Sequence, residues 1–205
     1  MSRPSWQVAL SITLRHLRQH DRPPKVAVLG MGQTLRGDDA VGPIVADELQ
    51  TRLMESESVL ILDTGPVPEN FTGTIRSFGP DLVLLVDAAQ MDEVGGKIHL
   101  LDHRACTGMS ASTHTLPPSV IADYMSLEMG CDVALLGIQP LQTDVGAPLS
   151  DPVRFAVDQA VAGVAETFGV HAIADSRRGS TPSEAEQVVP DLPSAGMGAG
   201  SLEGV

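Results

Sequence analysis

Two aspartates and one histidine stand at separate points of this sequence where a buried strand should give way to a loop. Asp39 ends the segment Gly37–Asp39, Asp87 follows the apolar run Leu84–Val86, and His114 follows Thr113. Carboxylate oxygens and an imidazole nitrogen form a mixed donor set for a transition metal and leave coordination positions for a substrate. If the three side chains meet at one edge of a sheet, they suit metal-assisted chemistry or recognition of a metal.

The elements that would position these residues alternate between strand and helix. Short runs of Val, Leu and Ile are typical of parallel strands covered on both faces, and they lie at Lys25–Gly30, Ser58–Thr64, Asp81–Asp87 and Asp132–Ile138. Stretches of helical period lie at Val41–Met54, Pro117–Met129 and Asp151–Phe168. The alternation predicts an α/β fold, a single three-layer domain with a mostly parallel twisted sheet and helices on both faces. Such sheets bind ligands at the carboxyl ends of their strands.

The sequence divides into three predicted parts. Residues 1–22 form an N-terminal helical extension, because apolar residues recur at helical spacing from Trp6 to Leu17 before Pro23 and Pro24. Residues 23–172 form the α/β domain, in which Lys97–Leu101 predicts a further short strand of undetermined direction. Residues 173–205 are rich in Gly, Ser, Pro and Glu and predict a disordered tail.

Composition excludes several classes of partner. The 205 residues are 42% hydrophobic and carry a formal net charge of −13, which disfavours nucleic acid and anionic membranes as partners. No apolar run reaches membrane-spanning length, and Arg3, Arg15 and Arg18 interrupt the N-terminal segment, so the expected location is cytoplasmic. Two widely spaced cysteines, Cys106 and Cys131, argue against a disulfide framework.

The loop after the first strand is unsuited to binding phosphate. A dinucleotide-binding loop needs a third glycine where this chain has Leu35, and a P-loop needs a lysine where Asp38 and Asp39 stand. Either acid taken alone is better explained as a cap of the helix that begins near Val41. One of the two acids can cap the helix while the other faces the crevice.

Other motifs also have simple structural explanations. Leu62–Gly65 is similar to an aspartic-peptidase signature, but those enzymes pair two such loops on an all-β scaffold, and this chain has one. A strand end entering a turn explains it better. Asp87 alone equally suits a strand-end residue that bonds the next turn, and His114 alone suits a solvated loop histidine. The combination of Asp39, Asp87 and His114 supports a function.

Several stretches of the chain resemble the hydrogenase maturation endopeptidases, and among them the hydrogenase 3 type. The similarity runs in the family's order across Lys25–Phe168 and is carried by Gly32–Gly42, Gly65–Asn70, Leu84–Ala88, Thr113–His114 with Pro117, and Leu136–Pro140. Gln33 stands where the family usually has Asn, and Ala40 where Gly commonly follows the acids. Both departures leave the three ligand-type residues in place.

The resemblance implies an endopeptidase that removes the C-terminal extension of a NiFe-hydrogenase large-subunit precursor after nickel insertion. The family's nickel-contacting residues fall on Asp39, Asp87 and His114, which would be both the catalytic and the metal-contacting residues. The nickel would be carried by the precursor and need not be held by the free protein. A cytoplasmic monomer is expected, since the fold needs no partner to close its core.

Two alternatives remain open from the sequence. A peptidase holding its own zinc or manganese could use the same three ligands, and a non-catalytic nickel-binding checkpoint protein could dock on the precursor without cutting it. A nucleotide-binding module is disfavoured by the two acids in the first loop. Pro68–Asn70 and Gly137–Pro140 are equally suited to lining the crevice and to forming turn and strand-end structure.

Overall fold

The computed structural model describes residues 3–18, 22–53, 56–102 and 118–176. Its centre is a five-stranded sheet in the order β2-β1-β3-β5-β4. The strands are β1 (Val26–Met31), β2 (Val59–Gly65), β3 (Leu82–Ala88), β4 (Ile98–Asp102) and β5 (Asp132–Ile138). The first three and β5 are mutually parallel, and β4 pairs antiparallel with β5. The predicted mostly parallel sheet is confirmed, and the extra strand now has a direction.

Five α-helices within the described ranges cover both faces of the sheet. They are α1 (Ser5–Leu17), α2 (Val41–Arg52), α3 (Thr72–Phe78), α4 (Pro118–Met129) and α5 (Asp151–Ser176). Buried residues of α1, α2 and α5 pack in one apolar cluster with alternate strand residues such as Leu84 and Val86. Residues of α3 and α4 pack with the opposite set, which includes Val83 and Leu85. Because side chains alternate along a strand, these two clusters form a three-layer domain, as predicted.

Helix α1 is part of the core. Trp6, Leu10 and Leu14 are buried, and the indole ring of Trp6 lies so close to Gly163 of α5 that any side chain at Gly163 would collide with it. The Gln7 amide donates to the carbonyl oxygen of Gly163 at 3.2 Å. The predicted N-terminal helix is therefore present and packs against α5.

Two helices differ from the sequence-based expectation. Helix α3 was not predicted, because only Ile75 among its seven residues is buried and so no helical period is visible. Helix α5 continues to Ser176, beyond the predicted domain boundary at residue 172. Residues 177–205 of the predicted tail lie outside the described residues. Within the described residues, no helix has the length and apolarity needed to cross a membrane.

Close packing brings the start of α2 against the middle of the sheet. A Cβ atom on Gly42 would overlap the carbonyl oxygens of Met31 and Val86, and one on Gly30 would overlap the carbonyl of Gly42. Glycine at these two positions allows the helix to touch the backbone of β1 and β3. The loop that precedes α2 is thereby held above the carboxyl ends of both strands.

Candidate active site

Asp39 and Asp87 lie at neighbouring places on the carboxyl edge of the sheet. Asp39 belongs to a short 3-10 turn, Gly37–Ala40, which leads from β1 into α2. Asp87 is the penultimate residue of β3, the parallel neighbour of β1. Their exposed fractions are 0% and 1%. His114, the third predicted site residue, lies outside the described residues, so the structure brings together two of the three.

Burial and the charge of Asp39 together control the ionisation of Asp87. Burial is the larger cause and the Asp39 charge the smaller, and they raise the pKa of Asp87 to about 8 even though the Ala88 N–H donates to its carboxylate. That hydrogen bond is 2.8 Å long. Asp87 therefore holds a proton at neutral pH when no cation is near. A pair of buried carboxyl groups with this property can exchange a proton for a metal ion.

The loop backbone fixes the orientation of Asp39. The N–H of Gln33 donates at 3.1 Å to the Oδ2 atom of Asp39 and, at the same distance, to its carbonyl oxygen. Gly32, at a φ of 129°, packs so tightly on that carbonyl that a Cβ atom would overlap it. Gln33 contacts Asp39 through the main chain, so its departure from the family's usual Asn leaves this bond unchanged.

Asp38, the other acid of the pair, ties two loops together. It is fully buried, and its Oδ2 atom accepts hydrogen bonds from the N–H groups of Leu141 at 2.8 Å and Gln142 at 3.0 Å. Ser150 donates to the carboxylate twice, through its N–H at 2.7 Å and its hydroxyl at 2.9 Å. The N-cap positions of this turn and of α2 are occupied by Arg36 and Ala40, so neither acid stands at a cap position. The capping interpretation is wrong, and Asp38 instead joins the loop after β1 to the loop after β5.

Gln139 performs a similar task for the loop that follows Asp87. Its side chain is buried, and its Oε1 atom accepts from the N–H groups of Met91 at 2.7 Å and Glu93 at 3.3 Å. Its Nε2 atom donates to the Gln90 side chain and to the Pro140 carbonyl, both at 3.1 Å. Two roles were open for Gly137–Pro140, lining the crevice and forming turn and strand-end structure. These bonds of Gln139 belong to the second role. The sequence signal is a glutamine between the apolar run Val133–Ile138 and a proline.

The motif Leu62–Gly65, which is similar to an aspartic-peptidase signature, forms the end of β2, where the chain enters a turn. Asp63 is exposed, and its Oδ1 atom accepts from the Gly65 N–H at 2.9 Å. The buried Thr64 hydroxyl donates to the Gly30 carbonyl at 2.9 Å and fastens β2 to β1. The strand-end interpretation of this motif is confirmed. Pro68–Phe71 follows as a second 3-10 turn at the same edge.

Of the three predicted metal ligands, two lie within the described residues, and both are carboxylates at this edge. Among those residues, no group of three His, Cys, Asp or Glu side chains is arranged to hold a metal ion. Two carboxylates alone favour a hard cation, whereas an added imidazole would favour a metal such as nickel or zinc. The predicted role of His114 as the nitrogen donor stays a prediction.

Replacing Asp87 with asparagine is expected to stabilise the protein at high pH. The folded pKa of Asp87 is about 8 and its ordinary value is 3.8, so the folded state binds the proton more tightly than the unfolded state. The resulting stability is fully present below the ordinary value and is lost as the pH rises through the folded pKa. Asparagine does not ionise, so its melting temperature should exceed that of the wild type by roughly 5 °C or more at about pH 8.5.

The gain should shrink steadily as the pH is lowered toward about 5, where the unfolded carboxyl begins to bind its proton. The matched control is Asp63→Asn, the same change at an exposed aspartate, which should show no pH-dependent gain. A constant difference between Asp87→Asn and the wild type across the pH range would contradict the raised pKa.

Comparison with known proteins shows similarity to one family across the α/β domain. The profile of the family HycI, hydrogenase maturation protease, matches residues 43–167, a range that contains Asp87 and His114 and begins after Asp39. A Methanocaldococcus jannaschii protein described as a hydrogenase maturation protease is 32% identical over 143 residues, which are 67% of this chain and 84% of that protein. The hydrogenase 3 maturation protease of Escherichia coli K12 is 30% identical over 132 residues, covering 64% and 83%.

The fold is shared with solved structures of similarly described proteins. The crystal structure of a NiFe hydrogenase maturation protease, HycI, from Thermococcus kodakarensis superposes with a TM-score of 0.65 at 34% identity, covering 71% of this chain and 93% of that one. The crystal structure of the hydrogenase 3 maturation protease gives a TM-score of 0.60 at 28% identity, covering 68% and 88%. The resemblance deduced from the sequence motifs is confirmed.

Proposed function

This chain belongs to the hydrogenase maturation protease family, and from that premise we propose that it removes the C-terminal extension of a NiFe-hydrogenase large-subunit precursor once nickel has been inserted. The relatives named above are described as proteases of hydrogenase maturation, and this chain is accordingly a peptidase. The proposed partner is the precursor, and the proposed recognition signal is the nickel that it carries.

The observation that carries this proposal is the buried carboxyl pair at the carboxyl edge. Asp39 and Asp87 are almost wholly shielded from solvent, and the charge of one raises the pKa of the other. A cation brought by the substrate relieves this repulsion and takes the place of the proton on Asp87. The free energy of that exchange would favour the nickel-loaded precursor over the nickel-free form.

The same pair offers a route for the protons of peptide hydrolysis. Water must lose a proton to attack the peptide carbonyl, and the leaving amine must gain one. A carboxyl group with a pKa of about 8 can accept or release a proton near neutral pH. We assign metal contact to Asp39, to Asp87 and to His114 as the nitrogen ligand, and we assign to Asp87 the transfer of the proton that the metal displaces from it. The nickel on the precursor would orient the peptide bond beside these groups.

The deciding experiment is the intact mass of the large-subunit precursor before and after incubation with this protein. Nickel-loaded and nickel-free precursors are compared. Loss of one discrete C-terminal peptide from the nickel-loaded form alone is expected. Equal cleavage of both forms would contradict nickel recognition, and a stable complex without cleavage would favour the checkpoint protein.

Metal analysis of the purified protein distinguishes the proposed function from the other alternative, a peptidase that holds its own zinc or manganese. Stoichiometric zinc or manganese, with activity that is lost on chelation and restored by that metal, would favour a peptidase with its own metal. Protein that is nearly free of metal and cleaves only the nickel-loaded precursor would favour nickel borne by the substrate.

We further propose that the protein acts as a monomer in the cytoplasm. Its own helices cover both faces of the sheet, so the core is closed without a second copy. Cys131 is a buried free thiol, which suits a reducing compartment. Light scattering during size-exclusion chromatography tests the oligomeric state, and a stable dimer at micromolar concentration would overturn it.

A further inference from the structure

Four large apolar side chains are exposed on loops at the same edge as the acid pair. They form what we name the apolar collar, which consists of Leu35, Val94, Leu141 and Val145, and each is between 59% and 74% exposed. Leu35 lies in the loop before α2, Val94 in the loop after β3, and the other two in the loop after β5. Scattered exposed apolar residues are ordinary, but a group on adjoining loops marks an interaction surface.

The members of the collar are neighbours in space. The Leu141 side chain lies over Gly95, so closely that a Cβ atom there would overlap it, and this places Leu141 beside Val94. The Gly146 N–H donates to the Leu35 carbonyl at 2.8 Å, which places Val145 beside Leu35. Both pairs include a residue of the loop after β5, so that loop joins them.

Buried groups of the candidate site hold these loops in position. Asp38, the residue before Asp39, accepts the hydrogen bonds that fix Leu141 and Gln142. Gln139 accepts those that fix Met91 and Glu93, next to Val94. The collar is therefore presented by tethered loops, which lowers the entropy that a partner must remove on binding.

We propose that the apolar collar is the surface on which the precursor docks, through an apolar segment that flanks its nickel site. The inference rests on the proposed function. Asp39 and Asp87 are buried, so a metal held by another protein reaches them only if that protein contacts the surrounding loops. Contact there buries the collar.

The charged residues around the collar indicate which charge the docking segment of the precursor should carry. Asp92, Glu93 and Asp144 are exposed on the same loops, against an exposed Lys97 and a half-buried Arg36. The acids outnumber the bases, so they disfavour an acidic segment and favour one with a basic residue beside its apolar residues. The occupant is thus an apolar, weakly basic stretch of the precursor.

The test replaces collar residues and measures binding of the nickel-loaded precursor directly. The double variant Leu35→Ser/Val145→Ser replaces two exposed apolar side chains. It should raise the dissociation constant for the precursor by about tenfold or more. The value of kcat/KM should fall by a comparable factor, because KM should rise while kcat stays unchanged. Thermal melting should match that of the wild type, because both side chains are exposed.

The matched control is Leu127→Ser/Val8→Ser. Leu127 is near the end of α4, away from the carboxyl edge, and Val8 is on α1; both are exposed. This variant should bind and cleave the precursor within about twofold of the wild type.

Several results would overturn the inference. Unchanged binding by the collar variant would remove the collar from the interface, and equal weakening by the control would show a general effect of exposed apolar residues. Loss of self-association in the collar variant alone would assign the surface to a second copy of the chain. Wild-type protein that binds the precursor through the collar but does not cut it would refute the proteolytic function while leaving the docking surface in place.

Discussion

Asp39→Asn is expected to lower the rate of cleavage of the nickel-loaded precursor by about a hundredfold or more. The amide keeps the size of the side chain and can still accept the hydrogen bond from the Gln33 N–H. It removes the negative charge that would meet the nickel. Burial still raises the pKa of Asp87, but the smaller contribution from the Asp39 charge is lost. Single-turnover cleavage followed by intact mass measures the effect.

The control for this loss is the same substitution at a neighbouring strand end. Asp63→Asn changes an exposed carboxylate after β2 and should leave the cleavage rate within about twofold of the wild type. His114→Ala should lose activity on the scale of Asp39→Asn if the imidazole is the third ligand. Normal processing by either variant would contradict the assignment of that residue to the site.

Asp38→Ala is expected to destabilise the fold by about 3–5 kcal/mol, because four hydrogen bonds to a charged group are lost together at roughly 1 kcal/mol each. The substitution leaves three backbone N–H groups and one hydroxyl without their acceptor, on Leu141, Gln142 and Ser150. Each of these partly buried donors that water cannot reach after the substitution also carries a desolvation cost. Urea unfolding at neutral pH measures the change in the free energy of unfolding.

The size of this change distinguishes a tether from a helix cap, whose loss costs typically about 1 kcal/mol. Asp144→Ala, an exposed aspartate of the same loop region, is the matched control and should change stability by less than about 0.5 kcal/mol. If the Asp38 and Asp144 variants unfolded at the same urea concentration, the four hydrogen bonds of Asp38 would contribute nothing measurable.

The parallel strands could be predicted because their signal is local. Each is a continuous apolar run, and the predicted Asp132–Ile138 agrees residue for residue with β5. Helix α3 gave no such signal, since it buries only one side chain. The direction of β4 depends on pairing with β5, which lies about 30 residues away in sequence, and a strand pattern does not encode its partner.

The site could be predicted in part for the same reason. Asp87 is marked by its position at the end of an apolar strand, and the structure confirms that position. The different tasks of Asp38 and Asp39 were not visible, because the two residues are identical and adjacent. The contacts that separate them come from residues more than 100 positions away. Gln139 is a comparable case, with partners 46 to 49 positions earlier in the chain.

The packing of α1 shows that the folded domain includes the N-terminal helix. The match to the family model starts at residue 43, after the central strand β1 and after Trp6, whose ring lies against Gly163. A boundary drawn at that point would cut through the hydrophobic core. The range matched by the family model is therefore narrower than the hydrophobic core, and substitutions in the N-terminal extension must be compatible with those in α5.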